Sequence, residues 1–394
     1  MTNPPELPFQ SQEDDFTSDL ISTSSYEFDV PKKKNFLPWH RPRKQFVREK
    51  QWSEQISTLI NEKFPETGTI KYLGLPGDDL LDLRYFHDNV CLPRDLKLKF
   101  LGFNNGIKAG SSNKDQIEIS LDEVSRLPNV DAKSELLPDD LTTIALNKSI
   151  AWAKSSTMGP FDIINIDLCD GFAKQPLNDF KETHYNTLQR LMSLQARRPD
   201  PWLLLLTTRT DSEGVDNGVF ERLKQIYIDN LIDCQTFLND SIECFAVNNA
   251  EELEAYCSDS NGFSNIFLTS LCKWILKLGL EQNPPVKVEV KNAFGYKVAQ
   301  NATSPDLISV AIKVIPTFDT VTDSIGLANQ INTAPNECVL ASRILRRINK
   351  QQDVDDILAS NETLMADMLN GTKILLEQSR YDVTEFEAWA RGAS

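Results

Sequence analysis

Three short stretches of this chain place carboxylates, glycines and cations at spacings that could do chemistry. The first is "TIKYLGLPGDDLLDLRYF", Thr69 to Phe86, a β-branched and apolar run, a Pro-Gly turn and an acidic helix start. Gly74 and Gly77 around Pro76 leave room for a ligand to approach the backbone. Asp78 and Asp79 suit a helix start but repel a pyrophosphate, so the loop fits a cationic cofactor better than NAD or ATP. A tight turn ahead of an N-capped helix, with no ligand, is the plain structural alternative. The second stretch is "FDIINIDLCDGF", Phe161 to Phe172, a strand ending in Asp167, Cys169 and Asp170. Open α/β sheets bind ligands at the carboxyl ends of their strands, so Asp167 or Asp170 could serve as general base or orient a nucleophile if burial raises its pKa. Turn or metal roles without chemistry are the alternative.

The third stretch is "KKKNFLPWHRPRKQFVREK", Lys32 to Lys50, with eight Lys or Arg against the single acid Glu49. The whole chain carries a net charge of -16, which disfavours general nucleic-acid coating and makes this arm the exception. Arg41, Arg43, Lys44 and Arg48 could meet phosphates or an acidic partner, while Phe36, Trp39 and Phe46 stack on bases. The arm could equally pack against its own acidic body.

Other chemistries lack material. Only His40, His87 and His184 are present, and the seven cysteines show no Cys-x-x-Cys pair or ligand spacing, so no metal site is expected. They read as free thiols in a reducing cytoplasm. Gly-x-x-x-x-Gly-Lys-Ser/Thr, His-Glu-x-x-His and Gly-x-Ser-x-Gly are absent, which removes kinase, zincin and α/β-hydrolase readings. No apolar run approaches the roughly 18 residues of a membrane span, and the N-terminus lacks a basic, apolar leader. A cytoplasmic protein is expected.

The elements that must position these residues fall into four regions. Residues 1–30 read as a disordered acidic tail. Residues 31–66 form the basic arm and a helix with apolar positions at Phe46, Trp52, Ile56, Leu59 and Ile60. From 67 to 320 strands alternate with helices, predicting a mostly parallel α/β sheet with strands at "TIKYLGL", "LKLKFLGF", "DQIEIS", "FDIINIDL" and "PWLLLLTTR". "VKVEVKNAFGYKVA" and "LISVAIKVIPTF" then pair as a late antiparallel hairpin. Residues 321–394 read as a helical C-terminal region.

Five parallel strands followed by that hairpin resemble the class I S-adenosylmethionine-dependent methyltransferases, a Rossmann-like family with a seven-stranded sheet whose last strand inserts antiparallel. The resemblance spans about 67 to 318 and implies S-adenosylmethionine as cofactor. It places the cofactor on Gly74, Pro76, Gly77 and Asp78, on Asn104 at the end of strand two, and on Asp122 in "IEISLDEVSRL" at the end of strand three. It makes Asp167 and Asp170 the candidates facing the substrate, nucleic acid or protein. Phe294 and Tyr296, at a turn of the hairpin, could cover the cofactor or present a docking edge, with core and edge packing as the plainer reading. The chain departs from the family at Tyr72, where an acid is usual, and at Asn104, where the ribose-binding acid is usual. The Asp/Asn-Pro-Pro-Tyr/Phe loop and the Pro-Cys pair are missing, so Cys169 reads as a small strand-end residue. These departures keep open an alternative: a catalytically inactive methyltransferase-fold subunit that binds a partner or nucleic acid, as in bacterial multi-gene systems, antiviral ones included.

Overall fold

The computed structural model describes residues 32–33, 35–63, 68–177, 180–298, 304–317, 325 and 335–392; the expected acidic tail lies outside them. Its centre is one sheet in the order β3-β2-β1-β4-β5-β7-β6-β8. The strands are β1 (Gly68–Gly74), β2 (Leu96–Phe103), β3 (Glu135–Leu137), β4 (Ile163–Asp167), β5 (Trp202–Arg209), β6 (Val286–Tyr296), β7 (Leu307–Pro316) and β8 (Gln352–Asp353). Strands β1 to β5 pair in parallel, and β7 inserts antiparallel between β5 and β6. The alternating runs on either side of "NATSPD" thus form the expected hairpin, with a bulge between Val290 and Asn292.

Two expectations are corrected. The sheet has eight strands rather than seven, because the two-residue β8 pairs in parallel with Phe294 and Gly295 at the outer edge. "DQIEIS" is not a strand: Lys114–Ser125 is a helix, and the third strand is Glu135–Leu137. Ile117 and Val124 are both fully buried seven residues apart, with Ser120 between them, while Ile119 is exposed. A two-residue period would have buried Ile117 and Ile119 together; the helical period wins.

The sheet is covered on both faces, as parallel strands require. On one face the helices His184–Gln195, Asn217–Asp233, Ser260–Leu280 and Glu337–Ile348 bury Leu191, Tyr227, Phe267 and Leu345. On the other, a helical run from Pro42 to Lys63, with a π segment at Arg48–Ser53, buries Phe46, Trp52, Ile56 and Leu59 beside Leu203, Leu205 and the C-terminal helix Glu362–Gln378. The predicted apolar stripe of this helix is therefore a core element, not a detached arm. Ahead of it, Lys33 pairs with Tyr381, and Phe36 packs on Tyr381, Phe386 and Trp389.

Cys234 and Cys338 form a disulfide with a Cα–Cα separation of 5.6 Å, which corrects the expectation of free thiols at those two positions. Cys91, Cys169, Cys244, Cys257 and Cys272 are free. Among the described residues no helix is long and apolar enough to cross a membrane.

Candidate functional site

The carboxyl ends of β1 and β4 lie side by side, since Gly74 is in register with Asn165. The chain leaving β1 turns at Leu75–Leu80, where Leu80 sits at φ 51. A bulky residue in that left-handed region costs about 1–2 kcal/mol; full burial of its side chain offsets the strain. The helix Leu81–Phe86 then begins with Asp82 in its first turn.

Asp167, at the end of β4, meets a cation from the arm. Lys44 Nζ lies 2.5 Å from its Oδ1, 3.4 Å from the Tyr296 hydroxyl and 4.5 Å from the Trp52 ring centroid. Burial alone would lower the Lys44 amine, but Asp167, Tyr296 and Asp82 outweigh it and hold the amine above its usual range. The Tyr296 phenol is pushed up to about 12 by burial. One turn along, Arg48 Nε donates to Asp82 at 2.6 Å, with both side chains buried. Arg43 pairs with Asp355 at 2.9 Å, and Arg41 donates to the Ala390 carbonyl and stacks on Trp389. All four cations singled out in the arm are therefore engaged within the chain. Asp355, Asp167 and Asp82 neutralise three of them, and a backbone carbonyl and an indole hold Arg41.

The β1 loop is a network of its own. Asp79, 3% exposed, accepts from Lys33, from the Tyr381 hydroxyl at 2.8 Å and from Gln116 at 3.1 Å. Asp78 accepts from two amides, Asn104 at 3.2 Å and Asn113 at 2.8 Å. Asn104 also donates to the Pro76 carbonyl and accepts from Gly106. Its amide therefore builds the loop and has no donor left for a hydroxyl. Tyr72, standing where the family has its acid, fills the space beside Gly74: a Cβ there would meet the Tyr72 ring at 2.7 Å. Nothing stands within 4 Å of a Cβ placed on Gly77.

Two cavities open onto these strand ends, with Leu75 and Leu168 lining both. The first, about 290 Å³, is walled by Arg43, Lys44, Arg48, Asp78, Asp82 and Asp167, with Trp39 and the exposed Cys169 also lining it. The second, about 210 Å³, is lined by Pro76, Phe103, Asn104, Asn105, Asp139 and His184 among others. Asp140 N-caps the following 3-10 helix through Thr142, whereas the half-buried Asp139 makes no hydrogen bond or ion pair among the described residues. Asp139 and Asp82 escaped the sequence reading. The first follows a three-residue strand too short to show a period; the second was hidden inside an apparently ordinary helix start.

Two predicted site residues lie elsewhere. Asp122 is exposed on the helix Lys114–Ser125 and pairs with Arg126 one turn on, so it is not at a strand end and lines neither cavity. Asp170 is exposed and pairs with Lys174 at 2.7 Å. Burial would raise its pKa, but Lys174 and the Gly171 N–H outweigh it, and the net shift is downward, opposite to what a general base at neutral pH needs. His184 stacks on Phe172, and burial lowers its pKa. Among the described residues no group of three or more His, Cys, Asp or Glu could hold a metal ion.

A family model described as PP_RS20740-like matches residues 33–391. The chain belongs to the PP_RS20740-like family. That match takes in the arm, the sheet and the C-terminal helices, so in this PP_RS20740-like protein the arm and the Rossmann-like sheet fall within one family unit. No curated protein matches the chain. One solved structure it is similar to is a provisionally assigned class I S-adenosylmethionine-dependent methyltransferase from Listeria monocytogenes, 11% identical over 78% of this chain and 70% of that one, with a TM-score of 0.35.

Proposed function

We propose that the chain is a methyltransferase-fold protein that takes S-adenosylmethionine, or its demethylated product, at the second cavity. The observation that carries this reading is the unpartnered carboxylate of Asp139 beside a cavity at the carboxyl ends of the parallel strands. The strand order, with β7 antiparallel between β5 and β6, supports the fold family. The residues present fit a nucleoside. Asp139 and Asn105 offer polar groups to hydroxyls and a base amine, and Phe103 and Leu141 offer apolar walls. Asn104, Asp78 and Pro76 hold the loop that shapes the cavity. When bound, the cofactor would supply an electrophilic methyl on a sulfonium, whose charge the carboxylates Asp139 and Asp140 of that cavity tolerate.

Titration calorimetry with S-adenosylmethionine and S-adenosylhomocysteine tests the reading. Micromolar binding that weakens at least tenfold in Asp139→Ala is the expected result; no heat from either ligand in a folded sample overturns it.

A second reading is favoured by one observation, the Lys44 ammonium seated on Asp167. That ion pair occupies the β4 carboxylate, and it suits a subunit that binds the nucleoside without transferring a methyl group. Binding of S-adenosylhomocysteine with no methyl turnover on small-molecule, protein or nucleic-acid acceptors would be its signature.

A further inference from the structure

A third cavity, of about 400 Å³, lies among the helices His184–Gln195, Asn217–Asp233 and Ser260–Leu280 and the segment leading into the first of them. No strand residue lines it, and it shares no lining residue with the two cavities at the strand ends. Its walls are Val219, Leu223, Ile226 and Leu271 with the rings of Tyr185 and Trp274. Both rings pack on Phe172, at centroid distances of 5.8 and 6.3 Å, and Phe172 stacks on His184 of the second cavity, so packed aromatics divide the two spaces. Leu177 and Phe180 also line the third cavity and are 42% and 71% exposed, apolar surface that a bound molecule would take out of water. The polar groups are mostly spent within the chain. The Tyr185 hydroxyl donates to the Gln175 carbonyl at 2.8 Å, and the Asn186 amide donates to the carbonyls of Phe180 and Lys181. Two donors are left over: the exposed guanidinium of Arg222 and the indole N–H of Trp274 have no acceptor among the described residues. Glu221, beside Arg222 in the chain, is committed to Lys224 at 2.7 Å, and Arg222 is the one charged residue among the described lining residues.

We infer that this cavity binds a small carboxylate with a flat, apolar body, such as an aryl carboxylate. The lining offers aromatic and aliphatic walls, unmatched donors and no anion, which is the complement of that chemistry. The planar guanidinium fork of Arg222 fits a carboxylate through two parallel N–H donors, and the indole of Trp274 can only donate. A space of about 400 Å³ suits a small molecule rather than a protein surface. The inference goes beyond the nucleoside reading and does not depend on it.

The probe is 2-naphthoate, titrated into the full chain by calorimetry, with 2-naphthamide and 2-naphthylmethylamine as neutral and cationic counterparts of the same body. A Kd at or below about 1 mM is expected for the carboxylate, in keeping with a ligand of that size. The amide should bind about fivefold more weakly and the ammonium at least tenfold more weakly. Arg222→Gln, at an exposed position, should weaken 2-naphthoate about fivefold and leave the amide unchanged. Trp274→Phe, which keeps a ring but removes the N–H, should weaken the carboxylate at least threefold. Saturating S-adenosylhomocysteine should leave the affinity for 2-naphthoate as it was. No binding of 2-naphthoate by the unaltered protein overturns the inference, as does equal binding of the amide or the ammonium. Equal losses for carboxylate and amide in Arg222→Gln also overturn it, since Arg222 would then act by packing and not by charge. Displacement of 2-naphthoate by S-adenosylhomocysteine overturns it as well, because the ligand would then sit at the strand ends. Binding of 2-naphthoate in a protein that gives no heat with S-adenosylhomocysteine would sink the cofactor reading and leave this one standing.

Discussion

Lys44 and Asp167 are 123 residues apart in sequence and 2.5 Å apart in space, the arm's cation on the carboxylate that ends β4. Both side chains are largely shielded from water, at 7% and 15% exposure. Removing either partner leaves the other charge poorly solvated, which for a buried pair costs about 3–5 kcal/mol. Lys44→Met and Asp167→Asn are each expected to destabilise strongly, and the double variant by less than their sum. Denaturant unfolding of the four-protein cycle measures this, and strict additivity would mean the pair is not coupled.

Acid sensitivity should trace to His40. The ring is 0% exposed, and burial pushes its pKa from 6.5 down to about 4. The unfolded chain therefore binds a proton that the folded one refuses between those values. Stability present above about pH 6.5 should fall by about 3 kcal/mol as the pH drops toward 4, then level off. His40→Gln should flatten that slope in unfolding curves taken at several pH values.

The two loop glycines should behave oppositely. Gly74→Ala drives a methyl into the Tyr72 ring and should destabilise by about 1–3 kcal/mol. Gly77→Ala meets open space and should stay within about 0.5 kcal/mol of the unaltered protein. Gly77→Arg should unfold at the same denaturant concentration yet fill the first cavity, which a loss of ligand binding would register.

Reduction should weaken the fold. The Cys234–Cys338 bond closes a loop of 104 residues, for which chain entropy gives about 2–5 kcal/mol. A reductant, or Cys338→Ser, is expected to lower the melting temperature. No change would mean that burial of Leu340, Ile344, Leu345 and Ile348 alone anchors that helix.

What could be read in advance depended on the range of the interaction. The positions of β1, β2, β4 and β5 followed from apolar runs and the hairpin from two alternating stretches, both local signals. "DQIEIS" misled because Ile117 and Ile119 mimic a strand over six residues, and only the burial of Val124 on the same stripe reveals the helix. Within one stretch the sequence led to residues that line the first cavity, Gly77 and Asp78. It did not lead to pairings between separate stretches of the chain: no local pattern announces that Lys44 belongs to Asp167 or Arg48 to Asp82. The basic run was visible as charge, yet its use as an internal counter-ion is a property of the folded sheet.

The backbone pairing of Lys33 with Tyr381 and the aromatic cluster of Phe36 with Phe386 and Trp389 set an order of assembly. On a ribosome the segment carrying Trp39 emerges first, but its seat is made last, from residues translated some 350 positions later. The parallel strands can pair while synthesis continues; the roof over the first cavity cannot close until Trp389 and Ala390 have been made. A nascent protein stalled before Tyr381 would carry the sheet and an open cavity, so any ligand whose hold depends on that roof would report that the segment from Tyr381 to Trp389 has been made.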